Sequence, residues 1–315
     1  MSLAPLAFTF KRSALDVFLG VVPGAAAVGH HQGKQNTREG RAGEHAAESF
    51  LAKDETDPFS AREFAAELVK QARTVSAFTG AGISTESGLA DFRSPGGLWD
   101  RYRIVTYPEF LASSDARQEY WSMRRELIPT LLEASPNPAH EGLAELERRG
   151  KLTGVITQNI DGLHQEAGNS NVIELHGTNR SAACLNCGRR WPIEDIRRVA
   201  NEGELLLRLE ADDLDPHCTG CDGLIKPETV SFGQSMPAAA MDAAYALAAS
   251  SDLMLMIGSA LEVHPAASVP PFAAENGARL IFINRTETPY DELAQIVCRE
   301  SAGEFMTLLV EELET

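Results

Sequence analysis

Val75-Ser76-Ala77-Phe78-Thr79-Gly80-Ala81-Gly82-Ile83-Ser84 is the stretch from which the fold is read. The apolar run Val75–Phe78 has the length and the β-branched start of a buried strand. Gly80 and Gly82 follow at its end, where residues without a Cβ let backbone N–H groups approach a phosphate. A helix starting there favours the anion. The dinucleotide fingerprint is incomplete, because Thr85 stands where its third glycine would fall. No acidic residue follows a second strand to hold a ribose. On this stretch alone a tight strand–helix turn and a nucleotide loop are equal readings.

Outward from it, further short apolar runs read as buried strands at Val155–Thr157, Val172–Leu175, Leu253–Ile257 and Leu280–Ile283. Helical text separates many of them, at Glu119–Ala134, Ala139–Arg149, Ala238–Ala249 and Ala266–Glu275. The alternation predicts an α/β fold, a parallel sheet with helices on both faces. Cys184 to Cys221 breaks the rhythm and reads as a separate small module. Upstream, Ser60 with Glu63 three residues later forms a capping pattern for a first helix, with Phe64, Leu68 and Val69 on its apolar face. Residues 1–58 show no sustained periodicity and read as a disordered extension. Lys11 and Arg12 precede an Ala-rich stretch, but Asp16 interrupts it, so export is not expected.

With 315 residues, 43% of them hydrophobic, the chain has material for a main domain and a smaller companion. The net charge of -17 argues against a nucleic-acid backbone as partner and suits a cationic, lysine-bearing segment. No uninterrupted apolar stretch is long enough to span a bilayer, so no membrane partner is expected. Of five cysteines, four form two C-x-x-C pairs, Cys184/Cys187 and Cys218/Cys221. That spacing reads as a closed, tetrahedral, structural zinc site in a reducing, cytoplasmic compartment, not as a disulfide scaffold. His217 is a weaker candidate ligand, because four thiolates already complete the tetrahedron. Cys298 reads as a buried strand residue.

Other candidate sites fall at strand ends. Asp91-Phe92-Arg93, ahead of Gly96-Gly97-Leu98-Trp99, puts an acid, a ring and a guanidinium in a Gly-rich loop able to close over a ligand. Gln158, Asn159, Ile160 and Asp161 offer amides and a carboxylate to a carboxamide ring, while His164 reads as a core histidine. His176, after Glu174-Leu175, is the side chain best suited to general-base work near neutral pH, although a lone histidine is more often structural. Gly258-Ser259 and Asn284 sit where the second half of a dinucleotide would lie.

Taken together, GAGISTESGLADFR, TQNIDGLH, ELHG, the paired cysteine knuckles, KPETVSFG, GSALEVHPAA and Ile283-Asn284 resemble one family, the sirtuins, in its order and over about Ala61–Val310. The resemblance implies a large Rossmann-like domain (about 59–100, 151–180 and 225–315) and a small helical and zinc module (about 101–150 and 181–224). It implies NAD as co-substrate and acyl-lysine proteins or peptides as partners. His176 would be the base. Gly80, Ala81, Gly82, Thr85, Asp91, Phe92 and Arg93 would form the cofactor loop, and Gln158–Asp161 the nicotinamide pocket. Gly258, Ser259, Asn284 and Ser301 would reach the rest of the dinucleotide. Val230, Phe232 and Gly233 would pair with substrate as an added strand. The implied reaction expels nicotinamide and moves the acyl group from lysine to ADP-ribose. Mono-ADP-ribosyl transfer, NAD hydrolysis and a non-enzymatic binding role stay open beside it, since a shared fold does not fix the acceptor. The chain departs from the pattern at Ala90, Ser259-Ala260, Gln234 and Glu300.

The acyl preference turns on Trp121 and Arg124, three apart on a predicted helix. In the sirtuin branch that removes acidic acyl groups, a Tyr and an Arg at this spacing hold the acyl carboxylate. Here Trp121 replaces the Tyr. The amphipathic pattern puts Arg124 and Arg125 on a solvated face, so the expected substrate carries an acetyl or other uncharged acyl group, with acidic groups as the alternative.

Overall fold

The computed structural model describes residues 58–91, 101–193 and 214–314. The expected N-terminal extension lies outside the described residues except for Pro58, where the first helix begins. In chain order, α1 (Pro58–Gln71) leads into β1 (Val75–Thr79) and a 3-10 turn, Ala81–Ser87. Helices α2 (Tyr107–Ala112), α3 (Ser114–Glu133) and α4 (Pro138–Arg148) follow. Next come β2 (Leu152–Thr157), α5 (Leu163–Ala167), β3 (Val172–Glu174), β4 (Gly177–Cys184), β5 (Arg190–Pro192) and β6 (Ile225–Thr229). The chain closes with α6 (Ala238–Ala249), β7 (Leu253–Ile257), α7 (Val269–Glu275), β8 (Arg279–Ile283), β9 (Ile296–Cys298) and α8 (Ala302–Glu312).

Six strands form one sheet in the order β3-β2-β1-β7-β8-β9, with every pairing parallel. β1 and β7 are buried along their whole length, which explains why they read as unbroken apolar runs. Alternate residues serve opposite faces. Val75, Ala77, Leu253, Leu255, Ile281 and Ile283 pack with α1, α4 and α8, whereas Phe78, Met254, Met256, Leu280 and Phe282 pack with α6 and α7. Phe78, Phe282 and Phe305 are fully buried, each contributing about 1.5–3 kcal/mol of burial free energy. The expected Rossmann-like layering is therefore present. α4 shares the core of the main sheet, so residues 138–148 pack there and not with the small module in which the sequence reading placed them.

The start of α1 differs from expectation. The helix begins at Pro58, so Ser60 lies inside its first turn and not at the position that precedes the helix. Phe64 is 43% exposed, because the buried stripe is Ala65, Leu68, Val69 and Ala72, at i, i+3, i+4 and i+7. α3 starts earlier than its apolar text, since Ser113 accepts from Ala116 N and opens the helix there. The segment read as one helix from Ala266 is a 3-10 turn followed by α7, whose first turn carries proline. Cys298 is a buried strand residue, as expected.

β4 pairs antiparallel with β5 and with β6, giving a three-stranded sheet in the order β5-β4-β6. A second core joins it to α2 and α3 through Phe110, Tyr120, Trp121, Ile128, Ala182 and Ile225. Among the described residues no helix is long and apolar enough to cross a membrane.

Candidate active site

The strands of the main sheet end in register. Thr79 lies beside Thr157 and Ile257, Ile257 beside Ile283, and Thr157 beside Glu174. The residues that follow, Gly80, Gln158, Gly258, Asn284 and His176, therefore share one carboxyl edge. From β1 the strand order runs to β2 and β3 on one side and to β7, β8 and β9 on the other. A crevice at such a switch point is where open α/β sheets bind ligands.

At that crevice two turns touch. Gly80 N donates to Ile257 O at 3.0 Å, and Gly82 N to Gly258 O at 2.8 Å. A Cβ on Gly82 would stand 2.7 Å from Gly258 Cα, and Gly258 itself has φ +65°. The glycines are thus required by backbone contact between the two turns. Gly82→Ala is expected to cost about 1–3 kcal/mol of stability through overpacking and to raise the KM for NAD. An unchanged Tm together with an unchanged KM would contradict this. Thr85 donates to Gly82 O at 2.9 Å, and Ser259 accepts from Gln158 Nε2 and from Leu261 N, each at 3.2 Å. Asn284 is buried and gives its amide to Thr286 O at 2.8 Å, while Ser301 caps α8. Asp91 is described; Phe92, Arg93 and the Gly96–Trp99 stretch lie outside the described residues.

Asp161 is buried and fully engaged. Ser84 Oγ donates to its Oδ2 at 2.8 Å, and Leu163 N to its Oδ1 at 3.0 Å. Asn159 donates to Ser84 Oγ at 3.0 Å and to Gly80 O at 3.1 Å, binding the β1 turn to the β2 turn. His140, which receives Asn137 N at 3.3 Å, approaches Ser84 from beneath at 3.5 Å. Sequence reasoning did not single out Ser84 and His140, although both lie in quoted or helical text. The capping pattern at Asn137–His140 was the available signal. Burial pushes His140 down to about 4 and His164 down to about 3, so both are neutral hydrogen-bonding groups at ordinary pH. His164 meets Thr79 Oγ1 at 2.9 Å in the core, a structural histidine as expected.

His176 follows β3 and is half-buried. Its Nδ1 lies 2.9 Å from the Gln158 carbonyl, which can only accept, so Nδ1 carries the hydrogen and Nε2 keeps the basic lone pair. Burial pushes its pKa below the ordinary imidazole value, and the Gln158 contact opposes this. The backbone just after β6 is tied to it, since Val230 N donates to His176 O at 2.8 Å. Phe232 O accepts from Tyr107 N at 2.8 Å, and Gly233 turns with φ +78°.

The cysteines come together as expected. The Sγ atoms of Cys184, Cys187, Cys218 and Cys221 all lie within 4.8 Å of one another. Cys184 and Cys221 are 3.5 Å apart and Cys187 and Cys218 3.7 Å. Tetrahedral zinc with Zn–S of about 2.3 Å needs S···S edges of about 3.8 Å, so the set fits that ion with no open position. His217 turns its Nδ1 to Asp222 O at 2.9 Å and is outside the four-thiol group.

Arg124 departs from expectation. It is 9% exposed, not solvated, while Arg125 is exposed. Its fork donates to Asn179 Oδ1 and to Thr229 Oγ1, both at 3.1 Å, and lies over the Tyr120 ring. Trp121 is fully buried and meets Tyr120 edge-on. The neighbouring basic residue Arg117 instead pairs with Asp215, joining α3 to the second cysteine knuckle.

The profile of the Sir2 family matches residues 80–265. An NAD-dependent protein deacetylase of Thermodesulfovibrio yellowstonii is 52% identical over 240 residues, 76% of this chain and 90% of that protein. One from Rhodopseudomonas palustris is 46% identical over 76% of this chain and 91% of its own length. Among solved structures, a Sir2–p53 peptide–NAD+ complex superposes with a TM-score of 0.70 at 36% identity, covering 79% of this chain and 97% of that one. A Sir2 bound to acetylated peptide gives 0.70 at 35% identity, covering 80% and 97%.

Proposed function

The chain belongs to the Sir2 family and is an NAD-dependent protein-lysine deacylase, and from that premise we propose that His176 is its general base and acetyl-lysine its preferred substrate. The observation that carries the first part is the contact between His176 Nδ1 and the Gln158 carbonyl, which presents Nε2 as the atom that takes up a proton. NAD, when bound, supplies the ribose carbon that receives the acyl oxygen as nicotinamide leaves. The glycine cradle at Gly80, Ala81 and Gly82, with Thr85, Asp91, Phe92 and Arg93, would hold its phosphates and ribose. Gln158, Asn159, Ile160 and Asp161 would orient the nicotinamide, and Gly258, Ser259, Asn284 and Ser301 the adenosine end. Val230, Phe232 and Gly233 would receive the peptide backbone between the large domain and the small module.

The relatives carry the deacetylase name, which leaves ADP-ribosyl transfer and NAD hydrolysis as the disfavoured outcomes. A lysine-bearing, cationic segment suits the net charge of -17, and neither nucleic acid nor membrane fits it. Thiols free of disulfides fit a reducing, cytoplasmic compartment.

Acetyl is preferred to an acidic acyl group because both terminal nitrogens of Arg124 are already committed to Asn179 and Thr229. An acyl carboxylate would have to reach this buried fork past those partners, using the N–H donors they leave over. Measured on matched peptides, kcat/KM for acetyl-lysine is expected to exceed that for succinyl-lysine. If succinyl-lysine wins and Arg124→Met removes its advantage, Arg124 is a carboxylate receptor and the reading of acyl preference fails.

A further inference from the structure

Lys226 is 2% exposed and has no part in the site as read above. Its Nζ donates to the Pro227 carbonyl at 3.2 Å and to the Thr229 carbonyl. Arg124 holds the same Thr229 by its hydroxyl, at 3.1 Å. Both cations lie over one ring, Arg124 at 5.0 Å and Lys226 at 5.9 Å from the Tyr120 centroid. The charged or ionisable neighbours of Lys226 are Tyr120 and Arg124, and burial pushes its ammonium below the ordinary lysine range.

Two buried cations held by carbonyls, a hydroxyl, an amide and a ring are a costly way to fill a core. Apolar residues of similar volume are often as stable or more so. What the pair accomplishes is seen in what it holds. Thr229 ends β6 opposite Gly177, and the next residue, Val230, donates to the His176 carbonyl at 2.8 Å. Asn179, at the other prong of Arg124, donates its N–H to Ile160 O at 2.9 Å. The ladder itself is interrupted here, because the β4–β6 pairing shifts register between Gly177 and Ala182 and β6 is an edge strand. Side-chain donors therefore carry much of the constraint on this end of β6. An ammonium, with three donors and no acceptor, suits two neighbouring carbonyls.

We propose that Lys226, together with Arg124, is a positioning residue that fixes Thr229 by carbonyl and hydroxyl and so sets Val230–Gly233 in register to receive the acyl-lysine peptide beside His176. The proposal rests on the reading of Val230, Phe232 and Gly233 as the peptide-pairing segment. Its consequence is selective. Peptide binding depends on the grip, whereas the glycine cradle for NAD, built on β1 and β7, does not.

The test separates the two KM values in the full-length, zinc-loaded enzyme. Lys226→Met keeps the stem and loses the donors, and it is expected to raise the KM for an acetyl-lysine peptide about tenfold, the equivalent of one backbone hydrogen bond to substrate. The KM for NAD is expected to stay within about twofold. Lys226→Arg, which retains a buried cation, should recover part of the loss. Thr229→Val removes only the hydroxyl and should shift peptide KM in the same direction; being nearly isosteric, it decides the matter if Lys226→Met does not fold. A lowered Tm with unchanged peptide KM, or an equal rise in both KM values, overturns the proposal. Phe232→Ala tests the underlying reading. If it leaves peptide KM alone, the peptide-pairing segment is misassigned and the proposal falls with it. If it raises peptide KM while Lys226→Met and Thr229→Val do not, the positioning role alone is wrong.

Discussion

His176→Ala is expected to lower kcat/KM on an acetyl-lysine peptide by about 10²–10⁴-fold, the usual loss for a positioned general base. The reason lies in one contact. The Gln158 carbonyl accepts from Nδ1, so the ring cannot present the wrong nitrogen, and alanine removes both the anchor and the base. Tm and zinc content should be nearly unchanged, because the ring is only half-buried and its loss opens no large void. The pH profile gives an independent check. Burial pushes the His176 pKa down, so the neutral, basic form persists to lower pH than for a free imidazole. Activity should therefore rise with pH through a limb below about 6.5, the unperturbed value, and be level above it. Deacylation within a few-fold of the unsubstituted enzyme, or an acid limb at or above that value, would show that another group is the base.

Removing the metal is expected to be as damaging by a different route. The four thiolates give one zinc per chain, and structural zinc is worth about 10–16 kcal/mol of apparent binding free energy, which in small modules is folding free energy. Cys184 and Cys218 also belong to the apolar cluster formed with Phe110, Trp121 and Ile225. Losing the ion should open that core and loosen β4, which starts at Gly177, next to His176. Chelation or Cys218→Ser should thus release zinc, lower the Tm and abolish deacylation, read by metal analysis, thermal melting and peptide assay. Fully active protein without zinc, or a Cys218→Ser variant of unchanged Tm, would sink this expectation.

The main sheet was legible because its determinants are local. Buried parallel strands leave short apolar runs, and Leu253–Ile257 and Ala238–Ala249 fall at the bounds their text predicts. The paired cysteines were legible because a metal knuckle imposes a spacing on adjacent residues. His176 and Gln158–Asp161 could be named as strand-end residues by the same logic, since a strand end is a local feature.

What local text could not convey is which distant groups meet. Phe64 reads as apolar, yet the packing of α1 on the sheet leaves it outside the buried stripe. Arg124 reads as a solvated charge, but the small sheet covers its face of α3 and supplies Asn179 and Thr229 as partners from 55 and 105 residues away. Lys226 sits in a motif without marking itself as buried, because a lysine's environment is set by the helix laid over it. The tautomer of His176 depends on a carbonyl 18 residues earlier in the chain. The sequence by itself determined five strands of the main sheet and the metal knuckles, since each is written in neighbouring residues. Only the tertiary structure decided which charges are buried, which carbonyl orients His176 and which glycines touch, because those depend on contacts between segments remote in the chain.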